Sequence, residues 1–323
     1  MGSIGNIIAL ILRRVACCVK VIRDRTRTGG NMKTNKPKAK TAASANDRIR
    51  LSRSLGQNLL VDANIAERIV KSSGIDETCG VCEIGPGQGA LTKALVKAAG
   101  HVTAIEIDGR FLPLLGEALR GAANVTIIHG DALKMDIGGM IEKEMPGMSY
   151  HVCANLPYYI TTPILSALTD ADIFRSITVM VQKEVAERIC AKPGTPQYGA
   201  FSVYMKYYHE TEILFEVPPD CFMPKPKVNS AVVKLSRRAE KPMKPEAEEL
   251  FFTVTRASFI QRRKTLVNAL ASSFGGKLEK SALVDITEQC GFSHMVRGEA
   301  LGLDEFCALT RVIYAKIYKT LQS

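Results

Sequence analysis

The run Glu83-Ile84-Gly85-Pro86-Gly87-Gln88-Gly89 constrains this chain more than any other segment. An apolar stretch, Val81 to Ile84, leads straight into it, and an apolar-periodic stretch, Leu91 to Ala99, follows. Strand, glycine turn and helix in that order open a doubly wound α/β sheet, because glycine lets the backbone turn tightly and approach a ligand. Alone, the triplet is a weak signal that a minority of plain tight βα turns would also give, and its surroundings strengthen it.

Strand and helix signals alternate around it. Asn64 to Ser73 reads as a helix stopped by Gly74. His101 to Ile107, Val125 to Ile128, His151 to Ala154 and Ile177 to Val181 read as strands, with helices at Arg110 to Arg120, Ile137 to Glu144, Pro163 to Thr169 and Lys183 to Cys190. Such alternation indicates a parallel sheet. Three further strands, Ser202 to Tyr208, Glu212 to Glu216 and Ala231 to Leu235, would finish it with an antiparallel edge. Beyond Pro245 the pattern is helical, at Ala247 to Ser258, Gln261 to Ser272, Lys280 to Cys290 and Leu303 to Leu321. The expected organisation is an N-terminal extension over 1–50, an α/β domain over 51–240 and a small all-helical domain over 245–323.

The net charge of +11 suggests a polyanionic partner until it is located. Residues 1–53 hold thirteen of the 43 basic and two of the 32 acidic side chains, leaving 30 of each in the remainder. The excess therefore belongs to the N-terminal arm, which either contacts phosphates without reading sequence or is simply solvated. Its apolar run, Ile4 to Leu12, is too short to span a bilayer. The arginine-rich, acid-poor pattern fits an organelle-targeting leader or an extension without function, since Met32 could itself start the reading frame. Composition from Met32 to Arg53 cannot bury a core, so the folded body is expected to begin near Leu51.

Nine cysteines without an even framework point to a reducing compartment, and Cys79-x-x-Cys82, at the entrance to a strand and lacking a second pair, reads as strand packing. The five histidines lack ligand spacing. No metal is expected.

Three acids fall at successive strand ends: Glu83, Glu106 and Asp131. Glu106, seventeen residues past Gly89, is placed to accept hydrogen bonds from ribose hydroxyls, and Asp131 to meet an adenine amine. Each could instead be a cap or a solvated turn residue. As a set, they would repel a pyrophosphate and suit a sulfonium, an ammonium and a ribose. S-adenosylmethionine is favoured over a nicotinamide dinucleotide.

Asn155-Leu156-Pro157-Tyr158 ends the fourth strand beside that cleft. An exocyclic adenine amine is a poor nucleophile because its lone pair is delocalised into the ring. The Asn155 side-chain oxygen and the Leu156 carbonyl can accept both amine hydrogens and aim the lone pair, Pro157 fixes the turn, and Tyr158 can stack on the base. A capped turn with a buried tyrosine is the alternative.

In these motifs the chain resembles the small-subunit ribosomal RNA adenine N6,N6-dimethyltransferases, the kasugamycin-sensitivity methyltransferases. The likeness spans roughly residues 50–323, through Leu55-Gly56-Gln57-Asn58-Leu59-Leu60, the glycine turn, Ile105-Glu106-Ile107-Asp108, Gly130-Asp131-Ala132, Asn155 to Tyr158, Val217-Pro218-Pro219, Pro226 to Val233, and Ala257-Ser258-Phe259 with Gln261 to Leu266. It implies a Rossmann-like class I S-adenosylmethionine-dependent methyltransferase domain and a helical C-terminal domain. The cofactor would be contacted at Asn58, Leu60, Gly85, Gly87, Glu106, Asp131 and Asn155, of which Asn58 and Leu60 come from the resemblance alone. It also implies dimethylation of two adjacent adenines in the 3′-terminal hairpin loop of small-subunit rRNA. Leu59 stands where the family usually has phenylalanine.

Arg256, Arg262, Arg263 and Lys264, read as one helical stretch, and Lys225 and Lys227, in the loop before the last strand, are candidates for phosphate contact or form solvated cationic faces. Phe222 is either a second stacking residue or part of the core. The expected partner is rRNA within an immature small subunit, with a monomeric protein and no membrane. The expected location is the cytoplasm, or an organelle if residues 1–50 act as a leader. Methylation of a large-subunit adenine and a chiefly non-catalytic assembly or transcription role are the competing readings.

Overall fold

A computed structural model describes residues 58–274 and 278–320. The N-terminal extension over 1–50, the start near Leu51 and the motif residues Leu55 to Gln57 lie outside them. Two compact units partition the described chain. One comprises residues up to Pro242 together with Glu299–Asp304, and the other comprises Met243–Gly298 with the chain from Glu305 onward.

The first unit is built on a seven-stranded sheet. Its strands are β2 (Cys79–Ile84), β3 (His101–Glu106), β4 (Val125–His129), β5 (Ser149–Asn155), β6 (Ser176–Gln182), β7 (His209–Val217) and β9 (Ser230–Arg237). Their order across the sheet is β4-β3-β2-β5-β6-β9-β7. The first five run parallel, while β9 pairs antiparallel with both β6 and β7. Every residue of β2 is buried, as expected of a strand covered on both faces. Cys79 and Cys82 both lie in it as free thiols, and burial pushes Cys82 up to about 12.

From β2 the chain adds β3 and β4 on one side and β5 and β6 on the other, so strand order reverses at the β2/β5 boundary. Outside the carboxyl ends of these two strands lies the crevice where doubly wound sheets bind ligands. Two short strands, β1 (Leu59–Leu60) and β8 (Phe222–Met223), pair antiparallel, with Leu59 opposite Met223 and Leu60 opposite Phe222.

Local chemistry sets the helix ends. For α1 (Ala63–Ser73), Asp62 accepts from the N–H groups of Asn64 at 2.9 Å and Ile65 at 3.4 Å, a cap worth ~1 kcal/mol. Helices α2 (Ala90–Ala98), α3 (Leu112–Ala118), α4 (Ile137–Glu144), α5 (Thr161–Asp170) and α6 (Lys183–Cys190) follow.

The segment read as a strand over Ser202 to Tyr208 is instead a helix, α7 (Ala200–Tyr208). Val203, Met205 and Tyr207 are buried at alternate positions, which mimics a strand period. Buried Ser202 breaks that alternation, and its hydroxyl accepts from the Gly199 N–H and donates to the Arg188 carbonyl, fixing a helical start.

The second unit contains α8 (Pro245–Ile260), α9 (Leu266–Phe274) and α10 (Lys280–Gln289), with most of α11 (Leu303–Thr320). Phe251, Leu270, Phe274, Ile286 and Phe306 are among its buried side chains. Gln261 to Lys264 form a turn between α8 and α9, not the opening of a helix.

Candidate functional site

At the end of β2 the glycine turn carries left-handed φ values at Gly85 (70°), Gly87 (56°) and Gly89 (82°), where a Cβ would be strained. Gly87 also lies under Leu59: a Cβ there would stand 2.7 Å from Leu59 Cδ2. The first turn residue faces the second motif, since a Cβ on Gly85 would lie 3.9 Å from Pro157 Cδ.

Glu106 ends β3, is 3% exposed, and ties the turn to its neighbour. Its Oε2 accepts from the Gly87 N–H at 3.0 Å and its Oε1 from the Asp108 N–H at 2.8 Å. Burial raises its carboxyl above the ordinary range, while the two backbone donors pull it back. Asp108 is in turn gripped by Arg110, with Nε to Oδ1 at 2.8 Å and Nη2 to Oδ2 at 2.6 Å. Past β4, Asp131 accepts from the Leu133 N–H at 3.1 Å and pairs with Lys134 at 3.2 Å.

The Asn155 turn stands on the buried Leu156, whose N–H donates to the Met180 carbonyl at 3.1 Å. The Asn155 amide nitrogen donates to the Asn58 carbonyl at 3.1 Å. That bond fixes the amide plane and leaves its oxygen, an acceptor, on the other side. Tyr158 begins a 3-10 turn, Tyr158–Ile160, and its hydroxyl lies 2.7 Å from that of Ser230.

Asn58, Gly85, Gly87, Glu106, Asp131, Asn155, Leu156, Pro157 and Tyr158 thus line a single cleft. Among the further lining residues that sequence reasoning did not assign to the site are Tyr159, Ile107, Phe111 and Ile160. Tyr159 and Ile107 are about half exposed, at 52% and 47%, and give the cleft apolar, flat-sided walls suited to a purine. Adjacency was the available signal, since both flank residues already singled out.

Two expectations are corrected. Glu83 is 1% exposed and does not reach the cleft; burial pushes its carboxyl up to about 8, so it is largely uncharged near neutrality. The acidic lining consists of Glu106 and Asp131. Leu60 and Phe222 are also buried, at 6% and 4%, in one apolar cluster, so Phe222 presents no free ring face for a base.

The basic candidates divide between the units. Lys225 and Lys227 are exposed in the loop before β9, with Lys225 paired to Asp220. Arg256 is exposed on α8, and Arg262, Arg263 and Lys264 are exposed on the turn after it rather than on one helix. Among the described residues no cluster of His, Cys, Asp or Glu could hold a metal ion, and no helix is long and apolar enough to cross a membrane.

A cleft at the strand-order reversal, walled by a glycine turn, a buried strand-end carboxylate and an Asn-Leu-Pro-Tyr turn, defines the class of Rossmann-like RNA methyltransferases. Solved structures share the architecture. A dimethyladenosine transferase from Plasmodium falciparum matches with a TM-score of 0.68 and 25% identity, over 80% of this chain and 98% of that one. The 23S rRNA methyltransferase ErmE matches with a TM-score of 0.64 and 25% identity, over 80% of this chain and all of that one.

The chain belongs to the ribosomal RNA adenine dimethylase family, whose profile matches residues 48–293. Among its relatives, the ribosomal RNA small subunit methyltransferase A of Shouchella clausii is 48% identical over 272 residues, covering 83% of this chain and 92% of that protein. The protein of the same description from Geobacillus thermodenitrificans is 46% identical over 264 residues, covering 81% and 90%.

Proposed function

We propose that this protein transfers methyl groups from S-adenosylmethionine to the N6 amines of two adjacent adenines in the 3′-terminal hairpin loop of small-subunit rRNA, dimethylating each. The observation that carries this reading is the Asn155 amide, locked by the Asn58 carbonyl so that an acceptor oxygen stands beside the glycine turn.

The residues fit the cofactor on three counts. Gly85 and Gly87 hold left-handed backbone that gives the tight turn a cofactor can approach, Glu106 is held by two N–H donors at the cleft, and Ile107 offers an apolar wall for a purine. Asn58, Leu60, Gly85, Gly87, Glu106, Asp131 and Asn155 are the proposed binding set, Leu60 acting through its buried strand rather than its side chain. Bound S-adenosylmethionine supplies an electrophilic methyl on a sulfonium. Every other requirement falls to the chain.

Asn155 Oδ1 and the Leu156 carbonyl accept the two amine hydrogens, drawing the nitrogen towards tetrahedral geometry and directing its lone pair along one line. Tyr158 stacks on the base, held by Ser230. The nitrogen proton becomes acidic once the amine is alkylated and leaves to water, so no dedicated base is required. Catalysis here is positioning, which can account for several kcal/mol of barrier lowering.

Exposed Arg256, Arg262, Arg263, Lys264, Lys225 and Lys227 meet rRNA phosphates. The partner is an immature small subunit approached by a monomeric protein acting in the cytoplasm, or in an organelle if residues 1–50 direct it there.

The test is transfer from labelled cofactor to small subunits isolated from a strain lacking the enzyme, with product bases mapped by primer extension. Two adjacent dimethyladenines near the 3′ end are expected. Label on large-subunit rRNA alone would overturn the assignment.

A further inference from the structure

The methyltransferase body holds a second cavity, of about 220 Å³, well above the roughly 10–15 Å³ that admits one water. It forms where β7 begins and β9 ends, His209 pairing with Arg237 across the sheet, and the segment after α5 contributes Asp172 and Phe174. Ser236 at this end pairs with Ser176 at the start of β6, whereas Asn155 pairs with Met180 near its finish. The cavity and the Asn155 turn therefore lie towards opposite ends of β6, whose length is about 20 Å.

Charge in this cavity is unbalanced. Arg237, Arg238 and Lys241 line it against a single carboxylate, Asp172. Asp172 Oδ1 takes Arg237 Nη2 at 3.0 Å and its Oδ2 stands 3.7 Å from Lys241 Nζ. The Arg238 Nε donates to the Lys206 carbonyl at 2.8 Å, fixing the guanidinium, and its Nη1 lies 3.8 Å from Glu210. His209 is 3% exposed; the Met205 carbonyl is its ring's backbone neighbour, and no hydrogen bond of good geometry reaches its Nδ1. Burial holds the ring neutral by lowering its pKa to about 4. Buried polar nitrogens are rarely left without a well-formed hydrogen bond, so one in that state in a cationic cavity points to something that enters.

We infer that this cavity binds a phosphate group, cradled by Arg237, Arg238 and Lys241, with His209 Nδ1–H as a neutral donor. Guanidinium forks match phosphate oxygens in pairs, and a lysine adds a point charge. Asp172 occupies the anion's place when the site is empty and competes with the ligand for Arg237 and Lys241. The phosphate belongs either to an RNA backbone or to a free phosphorylated small molecule.

The experiment titrates the full chain with inorganic phosphate at constant ionic strength, following the His209 side-chain nitrogens by NMR, with chloride as control. A saturable His209 shift is expected with phosphate and not with chloride. Arg238→Gln should weaken the apparent affinity at least fivefold. Asp172→Asn should tighten it about threefold, because the competing charge is gone; asparagine tolerates the left-handed φ of 51° there, so the loop is preserved.

A second arm adds a short RNA hairpin. If RNA shifts His209 and competes with phosphate, the group is an RNA phosphate; if only phosphate does, it is a free small molecule. Absence of a phosphate-specific shift, or an Asp172→Asn variant that binds no better than the parent while melting normally, would overturn the assignment. Neither outcome depends on which base the enzyme methylates.

Discussion

The hydroxyls of Tyr158 and Ser230 stand 2.7 Å apart, and Ser230 is completely buried at the first position of β9. One end of the phenol is thereby fixed by a strand that shares no motif with it, leaving the ring face as the presented surface. Removing such a neutral hydrogen bond costs about 1 kcal/mol. Ser230→Ala should lower the methyl-transfer rate roughly fivefold with cofactor affinity unchanged, and Tyr158→Ala should lower it by a further order of magnitude through the absence of stacking. Single-turnover kinetics check both. An unaltered rate in Ser230→Ala would mean that the phenol is aimed by something else.

Asn155→Ala should all but abolish transfer, by on the order of a hundredfold or more, since an acceptor fixed in place cannot be replaced by water at the same geometry. Subunit binding should stay nearly intact because Asn155 supplies a small share of the RNA-facing surface. Filter binding and labelled-methyl transfer on the same preparation separate the two quantities.

Gly87→Ala meets two penalties: a left-handed φ, costing about 1–2 kcal/mol, and Leu59 Cδ2 at 2.7 Å from the new methyl. Calorimetry should show cofactor affinity down about tenfold or more. Adding Leu59→Ala should recover part of that affinity, so that the double-mutant cycle gives favourable coupling. Strict additivity would show that the steric clash is irrelevant.

Glu83 gives a pH signature. Its folded pKa of about 8 lies above the ordinary 4.5, so between these values the folded state holds a proton that the unfolded state has released. This group's stabilisation is full below 4.5, declines as pH rises through the window, and is lost above 8. Glu83→Gln, which mimics the protonated acid, should flatten the fall of melting temperature across that range and raise it at pH 8. Parallel thermal melts of parent and variant check this; an equally steep fall in the variant would assign the pH dependence to other groups.

Replacing Arg262, Arg263 and Lys264 together by glutamine should weaken RNA binding and reduce the slope of log affinity against log salt by up to about 3, because each cation withdrawn from a phosphate leaves roughly one counterion unreleased. Cofactor affinity should not change. An identical salt slope would assign these side chains to bulk solvent.

The legible parts of this molecule are those encoded locally. Gly85 to Gly89 mark the turn because only glycine occupies three left-handed positions cheaply, and Glu106 and Asp131 follow because strand ends fall at predictable intervals after it. Asn155 was readable for the same reason. The burial of Glu83 was not, because an acid one residue before the end of a strand looks identical in sequence whether its side chain faces the cleft or the helix layer. Helix α7 was misread because its alternate burial depends on neighbours that only the packed fold supplies. Phe222 and Ser230 acquire their partners, Leu60 and Tyr158, from across the chain, and no window of residues contains both members of either pair.

The β1–β8 pairing carries a consequence for biosynthesis. Leu59, which roofs the glycine turn, is opposite a residue 164 positions later, Met223. A nascent chain emerging from a ribosome can form β2, the turn and α2 early, but it cannot close the roof until Phe222 and Met223 have left the exit tunnel. Until that moment the newborn enzyme carries an unlidded cleft, so competence to grip a nucleoside should arise abruptly and late in its own translation.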